Sequence, residues 1–459
     1  MQRQAQINNM GPTHFKARLS RFILTDKIAI FLFIYINSLI FLYYNMRQNS
    51  TWLYFASYID FIPNRLLYVL FIEYLLVFPL IYLFCRRAAL DLFALILFPV
   101  VVIGGVSGSI VLIFSADNSR SQIFIIYYII LPTLFSIINF PTFKYHRIRL
   151  GRRGEGIFVM AGLTSSILYL FWIWKYRSMI GFPGLSEIYE YRHALSAAVM
   201  HWERYGMIFS KFVGGFSFGY LAISRRSSRY LIGSALIFIS DYMLSGQRSS
   251  LVFIVIVILS YLWFVSMRRR FKISDLLLGL SGLTISLGLA SFLLGRISPY
   301  VIGIYDRAFH VSVGLFVRYL EQVEEVGLYW GGDGLLGEIF GGNGQDYRIV
   351  IGRNYFGPNV SANADLVSDA YINFGVGGPF FVFLILRLLI SRRDSKFFLH
   401  NREAALVFII PYMFALFSMG LQTALVTGAL AVALLIMKIT SIRQEHGISG
   451  HTPSRLKTY

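Results

Sequence analysis

The feature that most constrains this chain is a series of long runs that carry almost no charged residues. Stretches such as "LYVLFIEYLLVF" and "SLVFIVIVIL" recur along the 459 residues. A helix needs about 20 mostly apolar residues to cross the roughly 30 Å hydrocarbon core of a bilayer. Charged residues make up 14% of the chain, whereas soluble proteins carry about a quarter. We therefore predict an all-α polytopic integral membrane protein.

About twelve transmembrane helices are predicted, to within a few residues at each end. They cover residues 28–44, 65–85, 92–114, 122–139, 156–175, 207–223, 230–245, 250–266, 274–294, 367–390, 404–419 and 421–438. The last two are separated because residues 404–438 are too long for one crossing, and Gly420 and Gln422 mark a turn.

The Lys and Arg residues give the predicted orientation, because cytoplasmic loops of membrane proteins are enriched in them. Loops such as "KYHRIRLGRR", "RRSSR" and "RRRFK" alternate with loops that hold few cations. This pattern places a basic tail, residues 1–27, and the C-terminal tail, residues 439–459, in the cytoplasm. The same bias explains most of the net charge of +19, so no nucleic acid is predicted as a partner.

This orientation leaves two longer segments on the outer side, residues 176–206 and 295–365. The first lies within the block of nine predicted spans, residues 28–294, and the second separates that block from the last three spans, residues 366–438. Segments of this length in a tightly connected protein are usually functional. The start of the second, "IYDRAFHVSVGLFVRYLEQVEEV", has apolar residues at helical spacing, which predicts an amphipathic helix on the membrane surface or over a cavity.

The cations in these outer segments, and in one short outer turn, are arginines. Seven of them are singled out as candidates: Arg192, Arg248, Arg296, Arg307, Arg318, Arg348 and Arg353. A planar guanidinium binds phosphate or carboxylate through two parallel hydrogen bonds, so the group suits a lipid-linked diphosphate at the membrane boundary. The alternative for each arginine is an ordinary surface pair with a lipid phosphate or with an acidic neighbour such as Asp306 or Glu321.

Arg248 is the most specific of these arginines, because it occupies a turn of about four residues between two predicted spans, in "SGQRSSLVFIVIVIL". Asp241 lies two helical turns earlier, in the preceding span, and is expected to pair with Arg248. Ionisable groups at this depth are costly and by default indicate function. A purely structural clamp between the two residues is the alternative.

Candidate general bases also lie in the outer segments. Glu190 and His193 flank Arg192 in "IYEYRHALSAA", where a solvated helix face is the alternative. His310 lies within the predicted amphipathic helix, where an ordinary surface histidine is the alternative. No spacing of His, Cys or carboxylate residues indicates zinc or another divalent ion, so no metal and no cofactor are predicted.

The layout of the chain resembles that of the bacterial oligosaccharide repeat-unit polymerases of the Wzy type, which build O-antigen and related surface polysaccharides. The similarity is carried by the number of spans, by the two outer segments that bear arginines, and by three short elements. These elements are "SGQRSSLVFIVIVIL", "SANADLVSDAYINFGVGG" and "SMGLQTALVTGALAVALLI". The resemblance extends over most of the chain in architecture, whereas its motifs are short.

This resemblance implies a metal-independent membrane glycosyltransferase of the GT-C class in the bacterial inner membrane, with its active site in the periplasm. Such an enzyme transfers a growing glycan from undecaprenyl diphosphate to the end of a second lipid-linked repeat unit. The implied partners are lipid-linked oligosaccharides as donor and acceptor, membrane lipids, and a chain-length regulator protein.

Site residues follow from the same resemblance. The candidates for binding diphosphate and sugars are Arg192, Arg248, Arg307, Arg318, Arg353 and Asn363, and the candidate bases are Asp369, Glu338, His310 and Glu190. Asn363, Asp365, Asp369 and Asn373 are expected to line the mouth of a cavity, because glycans need many amide and carboxylate partners. The alternative is an N-terminal helix cap, and at least one of the four is expected to have that role.

Three alternatives to a polymerase stay open. O-antigen ligases share this layout but typically carry a histidine where this chain has Ala362, in "SANAD". A flippase or another transporter is expected to show paired broken helices and short loops on both sides. A structural subunit would leave the outer arginines without a use.

Overall fold

The structure is a computed structural model that describes most of the predicted spans and part of the second outer segment. It describes residues 26–48, 65–114, 118–138, 155–182, 191, 194–195, 198–294, 311–330, 339, 341–342, 346–356, 362, 364–390, 398, 401–426 and 428–448. The structural findings apply to these residues.

The described residues form helices joined by turns, with no strand among them. In chain order the helices are α1 Lys27–Gln48, α2 Leu66–Ala88, α3 Leu92–Ile96, α4 Val106–Phe114, α5 Ser119–Ile137, α6 Gly156–Lys175, α7 Trp202–Ser224, α8 Ser228–Ser245, α9 Arg248–Ser266, α10 Ile273–Leu294, α11 Val311–Val326, α12 Tyr347–Phe356, α13 Leu366–Leu389, α14 Arg402–Ser418, α15 Leu421–Val426 and α16 Leu430–Ile448. π-Helical turns interrupt several of them, including Ser210–Gly215 in α7. The predicted all-α architecture is therefore confirmed for this part of the chain.

Among the described residues, six helices are long and apolar enough to cross a membrane, judged by length and composition. They are α2, α5, α6, α7, α9 and α13. Shorter apolar helical stretches occur at Lys27–Leu42, Pro99–Ile113, Ile273–Leu289 and Leu430–Thr440. Each of the twelve predicted ranges contains a helix of the structure, while the number of crossings stays a prediction.

By its internal contacts the chain divides into two compact units that alternate along the sequence. Unit 1 comprises Met1–Ala89, Val100–Ile137 and Lys272–Arg318, and unit 2 comprises Leu90–Pro99, Ile138–Phe271 and Tyr319–Tyr459. In unit 1, α1 packs along α10, and the hydroxyls of Ser38 and Thr284 share a hydrogen bond in that contact. The hydroxyl of Ser281 donates to the carbonyl of Phe31 at 3.1 Å and joins the same two helices.

In unit 2, small residues allow α6, α7 and α8 to pack closely. A Cβ atom on Gly214 of α7 would lie 2.1 Å from Ser165 Oγ of α6, and one on Gly215 would lie 2.7 Å from the Phe238 ring of α8. Helices in a membrane depend on such close packing, because lipid gives no hydrophobic driving force between them. The π-helical turn that contains both glycines also carries Lys211.

Ion pairs in unit 2 join residues that the charge pattern places on the same side of the membrane. On the predicted cytoplasmic side, Arg387 Nη1 lies 2.8 Å from Asp91 Oδ2. On the predicted outer side, Lys175 Nζ lies 2.7 Å from Glu203 Oε1. These pairs are the ones expected if successive spans alternate in direction, while the side that each end faces stays a prediction.

Helix α11 lies where the sequence predicts an amphipathic helix. It buries Leu315, Tyr319 and Leu320 and exposes Glu324 and Glu325. This is the side-chain pattern of a helix with one apolar face. Its place on a membrane surface or over a cavity stays a prediction.

The described part of the second outer segment leads into the start of α13. The Tyr319 hydroxyl of α11 donates to the carbonyl of Ala362 at 2.5 Å. Asp365 caps α13, since its Oδ1 accepts hydrogen bonds from the N–H groups of Val367 at 3.1 Å and Ser368 at 2.8 Å. One residue of the polar stretch therefore has the N-cap role expected for it.

Candidate functional site

The centre of the candidate site is a lysine buried inside unit 2. Lys211 on α7 is 1% exposed, and so is Asp241 on α8. Lys211 Nζ lies 3.3 Å from Asp241 Oδ2 and donates a hydrogen bond to Oε1 of Gln247. A charge held this far from water needs an opposite charge and hydrogen bonds to offset its lost hydration. Asp241 and Gln247 supply both.

Three hydroxyls lie within hydrogen-bond distance of the carboxylate of Asp241. The hydroxyl of Tyr169 on α6 lies 2.9 Å from Asp241 Oδ1, and the hydroxyl of Ser245 lies 3.3 Å from Oδ2. Ser250, in the first turn of α9, also donates to Oδ2. The Tyr169 hydroxyl is equally close to the carbonyl of Met207, at 2.9 Å, and the Ser245 hydroxyl lies 2.7 Å from the carbonyl of Asp241, so each shares its one proton between two acceptors. Four helices, α6 to α9, thus contribute polar groups to one network.

Local backbone features place these groups. Lys211 lies in the π-helical turn Ser210–Gly215, and such turns within α-helices are frequent at functional sites. Helix α8 ends at Ser245, and Gly246 takes the left-handed conformation (φ 61°) that glycine adopts without strain. Gln247 is then the N-cap residue of α9, and its amide reaches Lys211.

Lys211 forms part of the wall of a cavity of about 380 Å³ between α7, α9 and α14. The polar lining consists of Lys211, Gln247, Ser249 and Ser418. The apolar lining includes Phe212, Val252, Phe253, Ile256, Phe414 and Met419. The volume lies within the range of about 300–1,000 Å³ usual for ligand sites. An apolar wall that contains a buried cation suits a molecule with an apolar chain and an anionic group.

Arg248 is the first residue of α9 and is exposed, between the cavity-lining residues Gln247 and Ser249. The expected pairing of Asp241 with Arg248 needs correction, because the cation beside Asp241 in the described structure is Lys211. The reason is local. Helix α8 ends before Arg248 and the left-handed turn at Gly246 starts a new helix, so the two residues do not share a helix face.

A second polar cluster surrounds Asp369, in the first turn of α13. The hydroxyl of Tyr347 on α12 donates to Asp369 Oδ1, and the neighbouring Arg348 pairs with Asp346, with 3.0 Å between Nε and Oδ1. Burial is the main reason that the pKa of Tyr347 is raised well above its usual value, and the nearby Asp369 carboxylate raises it further. Tyr347 is therefore a hydrogen-bond donor to the carboxylate of Asp369.

The two clusters are connected through the residues that follow α14. Met419 lines the cavity, and the next residue, Gly420, lies against the carboxylate of Asp369. Asp369 is therefore beside the cavity wall without being one of the lining residues.

The structure describes some of the predicted site residues and not others. Outside the described residues lie Glu190, Arg192, Arg307, His310, Glu338 and Asn363. Arg318 on α11 is half-buried and Arg353 in the last turn of α12 is exposed, and neither lines the cavity. None of the predicted residues that can be placed lines the cavity; Arg248 lies between two lining residues, and Asp369 contacts Gly420, which follows the lining residue Met419.

Sequence reasoning misses Lys211, Tyr169, Gln247 and Tyr347. For Lys211 a signal exists, because a lone lysine inside an apolar run of a predicted span indicates function by default. The other three carry no such signal, since their roles depend on which helices pack together.

Among the described residues, no group of three or more His, Cys, Asp or Glu side chains could hold a metal ion. The described side chains offer a cavity with a buried cation, an exposed arginine next to it, and a carboxylate beside its wall. No protein-family model, curated protein or solved structure matches the chain.

Proposed function

We propose that the chain is a membrane glycosyltransferase that polymerises oligosaccharide repeat units carried on undecaprenyl diphosphate. The observation that supports this proposal best is the cavity of unit 2, whose apolar wall contains the buried cation of Lys211. A lipid-linked glycan would match this cavity, because it has an apolar chain for the apolar wall and a diphosphate for the cation, followed by a polar glycan. The resemblance of the layout to repeat-unit polymerases supports the same conclusion.

The position of the cavity also supports the proposal. It is lined by the first part of α7, the first part of α9 and the last part of α14. These are the helix ends that the charge pattern predicts to face outward. A substrate in the outer leaflet would enter with its phosphates near Lys211 and Arg248, and an ammonium and a guanidinium there would neutralise the diphosphate.

In the proposed reaction, a hydroxyl oxygen of the acceptor sugar forms a bond to the anomeric carbon of the donor glycan. The bond between that carbon and the diphosphate oxygen breaks, and its electron pair leaves with undecaprenyl diphosphate. The proton of the acceptor hydroxyl goes to a base. Among the described residues Asp369 is the candidate base, because its carboxylate contacts Gly420, which follows the cavity-lining residue Met419.

Lys211 and Arg248 act on the leaving group in this proposal. Negative charge grows on the diphosphate as the bond breaks, so cations fixed there stabilise the transition state more than the ground state. Tyr347 orients the carboxylate of Asp369 through its hydrogen bond. The leaving-group residues thus lie on α7 and α9, the candidate base lies on α13, and the tyrosine that orients it lies on α12.

Deletion of the gene tests this function in the cell that carries it. We expect glycolipid with a single repeat unit to accumulate, because synthesis and transport of the unit continue while joining stops. Gel electrophoresis of the glycolipids gives the readout. Loss of even the single-unit species would indicate a flippase, and accumulation of long unattached glycan would indicate a ligase.

Purified protein gives the direct test. Incubated with undecaprenyl-diphosphate-linked repeat units alone, it should produce a ladder of longer glycolipids and release undecaprenyl diphosphate. Movement of the intact lipid-linked unit across proteoliposome membranes without any ladder would contradict the proposal and favour a transporter.

A further inference from the structure

We infer that Lys211 is a phosphate-binding residue, and that the Lys211–Asp241 pair opens when a phosphate attached to an apolar chain enters the cavity. The inference rests on the proposed function only for the natural ligand, a lipid diphosphate. It starts from an asymmetry within the pair. Lys211 lines the cavity, whereas Asp241 does not.

The ammonium of Lys211 has a donor to spare. An ammonium carries three N–H groups and no acceptor. One N–H donates to Gln247, and the group lies 3.3 Å from Asp241 Oδ2. At least one N–H is left for a ligand in the cavity that Lys211 lines. Lysine is a common phosphate ligand because its ammonium is a compact point charge.

Asp241 can stay hydrogen-bonded when Lys211 moves away. The hydroxyls of Tyr169, Ser245 and Ser250 all lie within hydrogen-bond distance of its carboxylate. These hydroxyls offset part of the cost of leaving the carboxylate without its ammonium partner. Because these hydroxyls stabilise the carboxylate of Asp241, Lys211 can leave Asp241 and bind a phosphate in its place.

A second buried carboxylate of unit 2 provides a contrast. Glu203 pairs with Lys175, whose side chain is 32% exposed, and neither residue lines the cavity. Glu203 also accepts hydrogen bonds from the hydroxyl of Tyr176 and from the N–H of Met200 at 3.3 Å. These contacts fix the N-terminal end of α7, which is a structural role.

The start of α9 adds positive potential at the same end of the cavity. Ser249 lines the cavity within the first turn of the helix Arg248–Tyr261. The positive end of the helix dipole favours an anion there. A phosphate beside Lys211 would therefore meet positive charge from α7 and from α9.

The test compares charge-neutral variants of the two ion pairs, in full-length protein purified in detergent. Lys211→Met/Asp241→Asn removes both charges together, so no unpaired charge stays buried and the variant should fold. Lys175→Met/Glu203→Gln is the matched control. Farnesyl diphosphate is the probe, its binding is measured by native mass spectrometry and by the shift in Tm, and folding is checked by size-exclusion chromatography.

We expect the Kd for the probe to rise about tenfold or more in the Lys211/Asp241 variant, and to stay within about twofold of wild type in the control. Unchanged binding in a folded Lys211/Asp241 variant would overturn the inference. Asp241→Asn alone should change the Kd for the probe in the opposite direction. The fraction of this variant that elutes as folded protein in size-exclusion chromatography should bind the probe more tightly than wild type, because the carboxylate no longer competes for Lys211. Weaker or equal binding by that folded fraction would show that the pair does not open.

Phosphatidylglycerol is the second probe, because its head group carries the same phosphate chemistry. A Lys211-dependent shift with farnesyl diphosphate alone supports a prenyl diphosphate as the occupant. An equal Lys211-dependent shift with phosphatidylglycerol supports phosphate recognition and assigns the occupant to bulk lipid. If the Lys211/Asp241 variant still forms the glycolipid ladder, the inference about Lys211 is wrong and the proposed polymerase function is unaffected. If wild-type protein binds the probe through Lys211 but forms no ladder, the inference holds and the proposed polymerase function is wrong.

Discussion

Gly420 lies so close to the carboxylate of Asp369 that a Cβ atom at position 420 would stand 2.0 Å from its Cγ and 2.0 Å from its Oδ2. Asp369 is in the first turn of α13, and Gly420 joins α14 to α15. Glycine is required here by space and not by backbone conformation, since its φ is not positive. The contact places the candidate base next to the residue that follows the cavity wall.

Gly420→Ala should displace Asp369 from Tyr347 while most of the fold persists. The added methyl group takes the place of the carboxylate, which must rotate and give up the hydrogen bond from Tyr347. Overpacking of this kind costs about 1–3 kcal/mol of stability. Because general bases contribute about a hundredfold or more to rate, ladder formation by the purified variant should fall by about that factor.

Gly279→Ala is the control for this variant. Gly279 lies in α10, and a Cβ there would meet nothing within 4 Å. We expect wild-type ladder formation and a slightly higher Tm, since alanine favours a helix over glycine by about 1 kcal/mol. Full activity in Gly420→Ala would instead remove Asp369 from the acid–base role.

Arg248→Ala should reproduce the deletion phenotype, a glycolipid with a single repeat unit, at normal expression. Arg248 is exposed at the start of α9 and adjoins the cavity, so its loss removes charge from the proposed leaving-group site without disturbing the core. Gel electrophoresis of glycolipids from the complemented deletion strain measures the chain lengths.

Arg229→Ala is the matched control for Arg248. Arg229 is also exposed and lies in the first turn of α8, at the end predicted to face the cytoplasm. Its variant should give wild-type chain lengths. Wild-type lengths in Arg248→Ala as well would take Arg248 out of the site.

The helical layout follows from local composition, which is why the sequence predicts it. Each apolar run is recognisable by itself, and every predicted range contains a helix. The cap at Asp365 is equally local, because its carboxylate contacts N–H groups two and three residues further on. Both features depend on residues that are neighbours along the chain.

The centre of the site depends instead on contacts between separate helices. Tyr169 reaches Asp241 across 72 residues of sequence, and no local pattern contains that pairing. The spacing of Asp241 and Arg248 suggests a pair only if one helix runs through both. Gly246 lies between them and ends the helix, and a glycine at that place is the sequence signal that argues against the pairing.

Arg387→Met should lower stability strongly, because it leaves the carboxylate of Asp91 without its cation. Arg387 Nη1 lies 2.8 Å from Asp91 Oδ2, and both side chains are mostly buried. Breaking a buried pair by removing one partner costs about 3–5 kcal/mol. Asp91→Asn/Arg387→Met removes both charges and should recover part of the loss. Tm in detergent measures each variant, and equal Tm values for the two would mean that charge burial is not the cause.

Tyr347 should make the folded protein sensitive to alkali. Burial and then the Asp369 carboxylate raise its pKa in the folded state, whereas an unfolded tyrosine has a pKa of about 10. The folded state therefore binds the phenolic proton more tightly. This contribution to stability is fully present below about pH 10 and is lost as the pH rises through the folded pKa.

Melting curves measured between about pH 8 and about pH 11 test this expectation. Tm should fall with pH in the wild type, and it should fall less in Tyr347→Phe, which has no phenolic proton to lose. At the lower pH, Tyr347→Phe should melt below the wild type, because the hydrogen bond to Asp369 is missing. Tyr205→Phe is the control, since Tyr205 is 53% exposed and its variant should keep the wild-type slope. A wild-type slope in Tyr347→Phe would show that the phenol of Tyr347 does not titrate with unfolding.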